Sequence, residues 1–337
     1  MTNNDLISVI VPCFNAGSYL EQCLVSIRKQ THSNIEILVV NDGSTDDSEI
    51  ISLQQQALDS RIRYLYSENQ GVSNARNIGI EAAKGSFLSF IDADDVVEPI
   101  FLEALLSCCK DHKVLIAEIF YRKQNRQANY KMSRIFCPEK IQVQSMTKHF
   151  HKLFQFQGAK LINKLYAREL FQKLRFPLDQ KFGEDSFVAC QAMLACDQIA
   201  IYPEILYYYI NTDSSAMHQK YTLRRLQELS TFDKLYACLP NQNKSVFRQY
   251  LLEEHQRMLA GHFRLLKKKM PEAKAQQAEL KEKSRWIFDE LKKIYQHHLF
   301  KNIHSLLWYH FPCRCILFYY KSHTFMDNLF FLSKKGY

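Results

Sequence analysis

The chain has 337 residues, of which 47% are hydrophobic, and 44 Lys and Arg stand against 35 Asp and Glu for a net charge of +9. That length allows roughly two domains with a sizeable core, and the composition excludes an intrinsically disordered chain. The apolar stretch Leu6 to Val11 is short and broken by Ser8, and no apolar run reaches membrane-spanning length, so neither a secretory leader nor a spanning helix is expected.

In chain order, Ile7 to Val11 reads as a buried strand ended by Pro12, and Leu20, Cys23, Leu24 and Ile27 give Tyr19 to Gln30 helical spacing. Ile35 to Val40 is a second strand running into Asn41-Asp42-Gly43-Ser44. Ser44 or Thr45 then caps a helix whose first turn holds Asp46, Asp47 and Glu49. Ile62 to Ser67 is a third strand. After Gly71, Val72 to Lys84 is a helix with Ala75, Ile78, Gly79 and Ala82 on one face, stopped by Gly85. Strand Phe87 to Asp92 follows, then a helix over Pro99 to Asp111 and a strand over Val114 to Tyr121. Residues 122 to 146 read as irregular, Leu161 to Tyr166 as a strand, Phe182 to Ala195 as a helix, and Ile199 to Ile210 as a strand carrying Tyr207-Tyr208-Tyr209. From Leu223 the texture turns to long Lys-rich helical runs, which places a boundary near 220.

Strands alternating with helices through short connections predict a parallel sheet covered on both faces. Such sheets bind ligands beyond the carboxyl ends of their strands, where Asn15, Asp42, Asn69 and Asp92-Ala93-Asp94 all fall. Closely spaced carboxylates repel unless a cation neutralises them. Magnesium or manganese takes one or two carboxylates plus substrate phosphates, so Asp92 and Asp94 suit a bridge from metal to diphosphate. The first strand is not followed by G-x-G-x-x-G, which disfavours a dinucleotide fold. The ten cysteines have no C-x-x-C spacing and read as core filler in a reducing, cytoplasmic setting.

Taken together, Val9-Ile10-Val11-Pro12-Cys13-Phe14-Asn15, Val40-Asn41-Asp42-Gly43-Ser44-Thr45-Asp46, Gly71-Val72-Ser73-Asn74-Ala75-Arg76-Asn77, Asp92-Ala93-Asp94-Asp95 and Gly183-Glu184-Asp185 resemble the family 2 glycosyltransferases of the GT-A fold. The sequence departs from that pattern at Cys13-Phe14, where the aromatic ring is kept. The resemblance spans about residues 5 to 215. It implies a catalytic domain over 1–220, with a nucleotide-sugar half at about 1–98 and an acceptor half at about 99–220. It further implies inverting transfer of a sugar from a nucleoside diphosphate, UDP above others, to an acceptor hydroxyl with Mn2+ or Mg2+. On it, Asp94 holds the metal and Asp92 contacts metal or ribose. Asp42 meets uracil or ribose, and Arg76 the diphosphate or nucleotide. Asn15 and Asn69 touch the nucleotide sugar, Pro12 frames the base, and Asp185 is the catalytic base. An Asp at a helix N-terminus stays ionised, which suits a base.

Residues 221–337 form a basic helical region, with 21 Lys and Arg against 10 Asp and Glu, whereas the remainder has 23 against 25. Aromatic clusters beside Lys and Arg over 299–337 either lie on an anionic membrane surface or pack onto the catalytic domain. The first reading places the enzyme on the inner face of the cell membrane beside a lipid-linked or surface-glycan acceptor, in polysaccharide, lipopolysaccharide or capsule assembly. Nucleic acid is not an expected partner. His149 with His151 and His297 with His298 lack metal-site spacing and read as structural or solvated, and Cys313-Arg314-Cys315 is too short a motif for a metal site. The alternative function is a catalytically silent scaffold that keeps the fold.

Overall fold

A computed structural model describes residues 5–125, 135–150, 160–211, 221–239 and 244–295. Nine strands form one mixed sheet: β1 Ile7–Cys13, β2 Ile35–Asn41, β3 Ile62–Tyr66, β4 Phe87–Phe90, β5 Val96–Val97, β6 Ile116–Asn125, β7 Gln142–Ser145, β8 Lys164–Ala167 and β9 Gln198–Asn211. Their order is β3-β2-β1-β4-β8-β6-β9-β5, with β7 also paired to β9. The first four strands are mutually parallel, and β8 joins antiparallel between β4 and β6. This is the mixed, mostly parallel α/β architecture expected from the alternating pattern.

β1 and β2 are buried along their whole length, as continuous apolar runs require when helices cover both faces. Ile7, Val9 and Val11 join one core with Leu20, Leu24 and Ile27 of α1 (Gly17–Arg28) and Phe101 and Leu105 of α4 (Phe101–His112). α2 (Ser48–Leu58) packs beside α1. Ile10 points the other way, toward α3 (Val72–Ala82). There Gly79 lies so close that a side chain would collide with the Ile10 Cγ2 methyl. On the same face Phe90 meets Tyr166, Phe171 and Phe176, with ring centroids 5.5 to 6.1 Å apart.

Several expected boundaries move. β1 continues through Pro12, which pairs in register with Val40. The carbonyl of Ile10 accepts from Ile91, and that of Cys13 from Asp42, so alternate residues bond to β4 and to β2. Pro12 therefore faces the β4 side beyond the end of that ladder, where its missing N–H costs no bond. α2 begins at Ser48 rather than at a Ser44 or Thr45 cap, because Asp46 and Ser48 serve another purpose. The Asp46 carboxylate accepts from Gly17 N at 2.8 Å, and Ser48 Oγ from Ala16 N at 2.9 Å, stitching the loop after β2 to the loop after β1. β8 starts at Lys164, after Asn163 takes a left-handed φ of 60°. β5 and β7 were not expected; both are short strands recruited by the 14-residue β9.

The chain divides into compact units of residues 1–242 and 243–337, later than the change in texture near 220. The reason is that α6 (Gln227–Ala237) packs on α5 (Glu184–Leu194). Gln180 Nε2 donates to Thr231 Oγ1 at 2.6 Å, and the Thr231 hydroxyl donates to the Gly183 carbonyl at 3.3 Å. In the second unit α7 (Lys244–Lys269) and α8 (Lys274–Tyr295) pair through Arg248–Glu290 at 2.7 Å and Gln256–Ser284 at 2.7 Å. No helix among the described residues is long and apolar enough to cross a membrane. The segment 299–337 and His151, His297, His298, Cys313 and Cys315 lie outside the described residues.

Candidate active site

The loops after β1, β2, β3 and β4 gather on one edge of the sheet, as right-handed parallel connections dictate. Pro12 is buried at the end of β1, and Asn15, with φ of 49°, follows it. Asn15 N donates to Ser44 Oγ at 2.9 Å, and Asn15 Oδ1 accepts from Thr45 N at 2.8 Å, so this side chain ties two rim loops together. Asp42 is 3% exposed; its two oxygens accept from Gln70 N at 2.9 Å and Gly71 N at 2.7 Å, ahead of α3. A carboxylate has about four lone-pair sites, so Asp42 keeps capacity for a ligand donor. Asn69, exposed at a φ of 27°, stands on the same loop.

The aspartates after β4 are not equivalent. Asp95 is fully buried; its oxygens accept from Tyr207 Oη at 2.5 Å and Ile210 N at 2.9 Å. Burial, then the charges of Asp92 and Asp94, push its carboxyl well above the usual range. Tyr208 Oη donates to Glu98 at 2.6 Å, and Asp92 N donates to Tyr207 Oη at 3.3 Å. β9 thus grips the acidic loop from within the sheet, while Asp92 and Asp94 stay partly exposed. Asp92 and Asp94 are hard carboxylates of the type that Mg2+ or Mn2+ takes beside a substrate diphosphate and water; among the described residues no group of three or more metal-ligating side chains is gathered.

Arg76 lies deeper than an exposed phosphate contact would. It is 5% exposed, over the Phe176 ring at 5.3 Å; Nη1 donates to Glu184 at 3.0 Å and Nη2 to Asp92 at 3.2 Å. Asn77, one residue on, exchanges two 2.9 Å hydrogen bonds with the Phe176 backbone and fixes that ring. Gly183, at φ of 78°, turns the chain into α5, where a side chain would meet Thr231 Oγ1 at 2.8 Å. Glu184 and Asp185 open the helix. Glu184 is buried, and burial followed by the neighbouring Asp185 pushes it up to about 7 against the pull of Arg76. Asp185 is partly exposed and accepts from Ser186 N at 2.7 Å.

The structure thus brings Arg76, Asp92 and Glu184 into contact across 108 residues of sequence, a pairing no local spacing announces. Tyr207 was readable only as a sheet residue, although the alternation Tyr207, Tyr208, Tyr209 does signal opposite faces. Of the two readings of His149, structural or solvated, the first holds: it is buried, with Nε2 at 3.2 Å from Glu118 and Nδ1 at 3.0 Å from Gln144.

The pattern of glycosyl transferase family 2 matches residues 8–175, which include all four strand-end loops. The chain is 33% identical over 229 residues to glycosyltransferase GlyG of Streptococcus pneumoniae serotype 4, a match covering 65% of this chain and 75% of GlyG. Its fold is similar to that of S. aureus TarS 1-349 crystallised with UDP-GlcNAc, with a TM-score of 0.61 and 18% identity over 88% of this chain and 93% of that one. It is also similar to mannosyltransferase PcManGT of Pyrobaculum calidifontis in complex with GDP-Man and Mn2+, with a TM-score of 0.51 and 18% identity over 76% and 74%. Strand-end loops, acidic turn, sheet order and sequence match converge, and the chain belongs to glycosyl transferase family 2.

Proposed function

We propose that this protein transfers a sugar, with inversion, from a nucleoside diphosphate to an acceptor hydroxyl. The observation that carries the reading is the split of the acidic turn. Asp95 is buried and consumed by Tyr207 and Ile210, whereas Asp92 and Asp94 stay partly exposed, and Arg76 joins Asp92 to Glu184, the neighbour of the partly exposed Asp185. Asp94, assisted by Asp92, would hold Mg2+ or Mn2+, and a divalent ion there offsets the negative charge that builds on a departing diphosphate. Asp42, Asn15, Asn69 and Pro12 would frame the nucleotide from the loops after β1 to β3. Asp185 takes the proton of the attacking hydroxyl, because it is the accessible member of its pair. Glu184 is buried and bonded to Arg76, so it acts through that cation. Arg76 is a positioning residue, joining the metal loop to the base helix. UDP is the favoured nucleotide, in keeping with the UDP-GlcNAc bound by the similar TarS structure. A lipid-linked or surface-glycan acceptor at the inner membrane face remains part of the proposal through the basic 221–337 region.

The test is nucleotide release from a panel of UDP-, GDP- and dTDP-sugars with Mn2+, with and without acceptor, by the parent protein and by Asp94→Asn. Donor turnover or tight donor binding that needs both Asp94 and metal supports the reading. Identical behaviour of the two proteins with every donor, or no nucleotide binding at all, favours the silent scaffold.

A further inference from the structure

The paired helices of the second unit carry their charge unevenly. Over 244–263 and 276–295 together, eight Lys and Arg stand against six Asp and Glu, whereas the twelve residues between, 264–275, hold five against one. Along the helices partners are at hand: Arg248 pairs with Glu290 at 2.7 Å, and Arg257 with Glu254. At the turn the charges stand alone. Arg264, Lys267, Lys268, Lys269 and Lys274 are all exposed, and none makes an ion pair with a described residue. One cation in the last turn of a helix is favoured by its dipole, but three in succession repel one another. The turn that presents them is well held. Leu266, Ala273 and Leu280 are buried, the Met270 carbonyl accepts from Ala273 N at 3.1 Å, and Gln277 Nε2 reaches the Met270 and Pro271 carbonyls at 3.4 Å each.

Successive helical residues are turned by about 100°, so Lys267, Lys268 and Lys269 surround more than half of the end of α7 instead of lining one side. A surface lying along the hairpin cannot meet all three, whereas one facing its end can. Among these cations the tip offers Leu265, 38% exposed, half-buried Met270 and exposed Pro271. Cations ringing an aliphatic tip are complementary to an anionic bilayer, where apolar groups enter the headgroup boundary and Lys meets lipid phosphate. A nucleic acid calls for a track of cations along one face with aromatic or amide groups for the bases, and residues 264–275 contain no aromatic, Asn or Gln. Resting on the membrane-face part of the reading above, we propose that the turn between α7 and α8 docks end-on on an anionic lipid surface. Lys267, Lys268, Lys269 and Lys274 meet the phosphates, and Leu265, Met270 and Pro271 enter the headgroup layer. Docking is thereby assigned to 264–275 and not to the aromatic segment 299–337.

The experiment mixes the full chain with extruded phosphatidylcholine vesicles, with and without about 30% phosphatidylglycerol, in about 0.1 M NaCl, and reads binding by co-sedimentation. The expected result is binding at least about ten-fold tighter to the anionic vesicles and lost at high salt. Lys268→Gln with Lys269→Gln should weaken it by about ten- to thirty-fold, the usual contribution of two basic residues near an anionic leaflet. Lys281→Gln with Arg285→Gln, exposed cations further along α8, should change it by less than about three-fold. All four positions are exposed, so both variants keep the fold, as circular dichroism checks. Binding that ignores lipid charge, no binding to either vesicle, an equal loss in the two variants, or full binding by the Lys268→Gln, Lys269→Gln protein overturns the proposal. So does tighter binding to single-stranded or duplex DNA than to anionic vesicles at equal phosphate concentration, which makes nucleic acid the partner. Vesicle binding needs no turnover. A protein that docks but binds no nucleotide loses the transferase reading while the docking stands, and one that transfers sugar without docking loses the tip alone.

Discussion

Replacing Arg76 with Met keeps most of the side-chain volume over Phe176 and removes the charge that joins Asp92 to Glu184. The two carboxylates respond differently. Asp92 keeps 30% of its side chain in water and can rehydrate, so its lost partner costs little. Glu184 is 7% exposed, beside Asp185, and cannot. Removing one member of a buried ion pair costs about 3–5 kcal/mol, and with the Asp92 share discounted the expectation is about 3 kcal/mol. The loss depends on pH, with a definite sign. Glu184 sits near 7 in the folded protein against an ordinary 4.5, so its contribution to stability is complete below about 4.5 and is lost as pH rises through 7. Without Arg76 the folded value climbs further, and the loss continues to higher pH. The gap between parent and variant should therefore be small near about pH 5 and should widen toward about pH 8.5. Trp286 lies in the second unit and Trp308 outside the described residues, so the assay is hydrogen exchange of α3 and α5 peptides at the two pH values rather than tryptophan fluorescence. Adding Glu184→Gln to Arg76→Met should recover much of the deficit at high pH. A gap that is flat with pH, or a double variant no more stable than the single one, would refute the buried-bridge account.

Asp94→Asn should lower metal-dependent donor turnover by about 10²–10³-fold and weaken Mn2+ binding seen by paramagnetic resonance, with the melting temperature little changed. Asp185→Asn should leave donor and metal binding intact while transfer falls by about 10²–10⁴-fold, the range for a general base; unaltered transfer would reassign the proton acceptor. Tyr207→Phe strips the buried Asp95 of a donor and should cost about 1–3 kcal/mol, with a raised Mn2+ dissociation constant as its functional mark. Gly79→Ala forces a methyl against Ile10 and should destabilise the catalytic unit by about 1–3 kcal/mol, measurable as a lower denaturation midpoint.

The sequence by itself determined what is local in cause. Apolar runs of strand length, helical spacing between them and polar clusters at strand ends are nearest-neighbour properties. They placed Ile7–Cys13, Ile35–Asn41 and Val72–Ala82 within a few residues, and they put Asn15, Asp42, Asn69 and Asp92 on one edge because parallel strands with right-handed connections all end there. Tertiary structure decided whatever depends on which distant groups share a low-dielectric space. It made Asp95 an anchor, because its two oxygens are taken by Tyr207 Oη and Ile210 N, and it left Asp92 and Asp94 partly exposed. It buried Arg76 between carboxylates 16 and 108 residues away, and it carried α6 onto the catalytic unit through Thr231 and Gly183. The charge on a side chain is written in its residue type, but its partner is fixed only when the chain closes around it, since burial decides whether that charge is solvated, paired or suppressed.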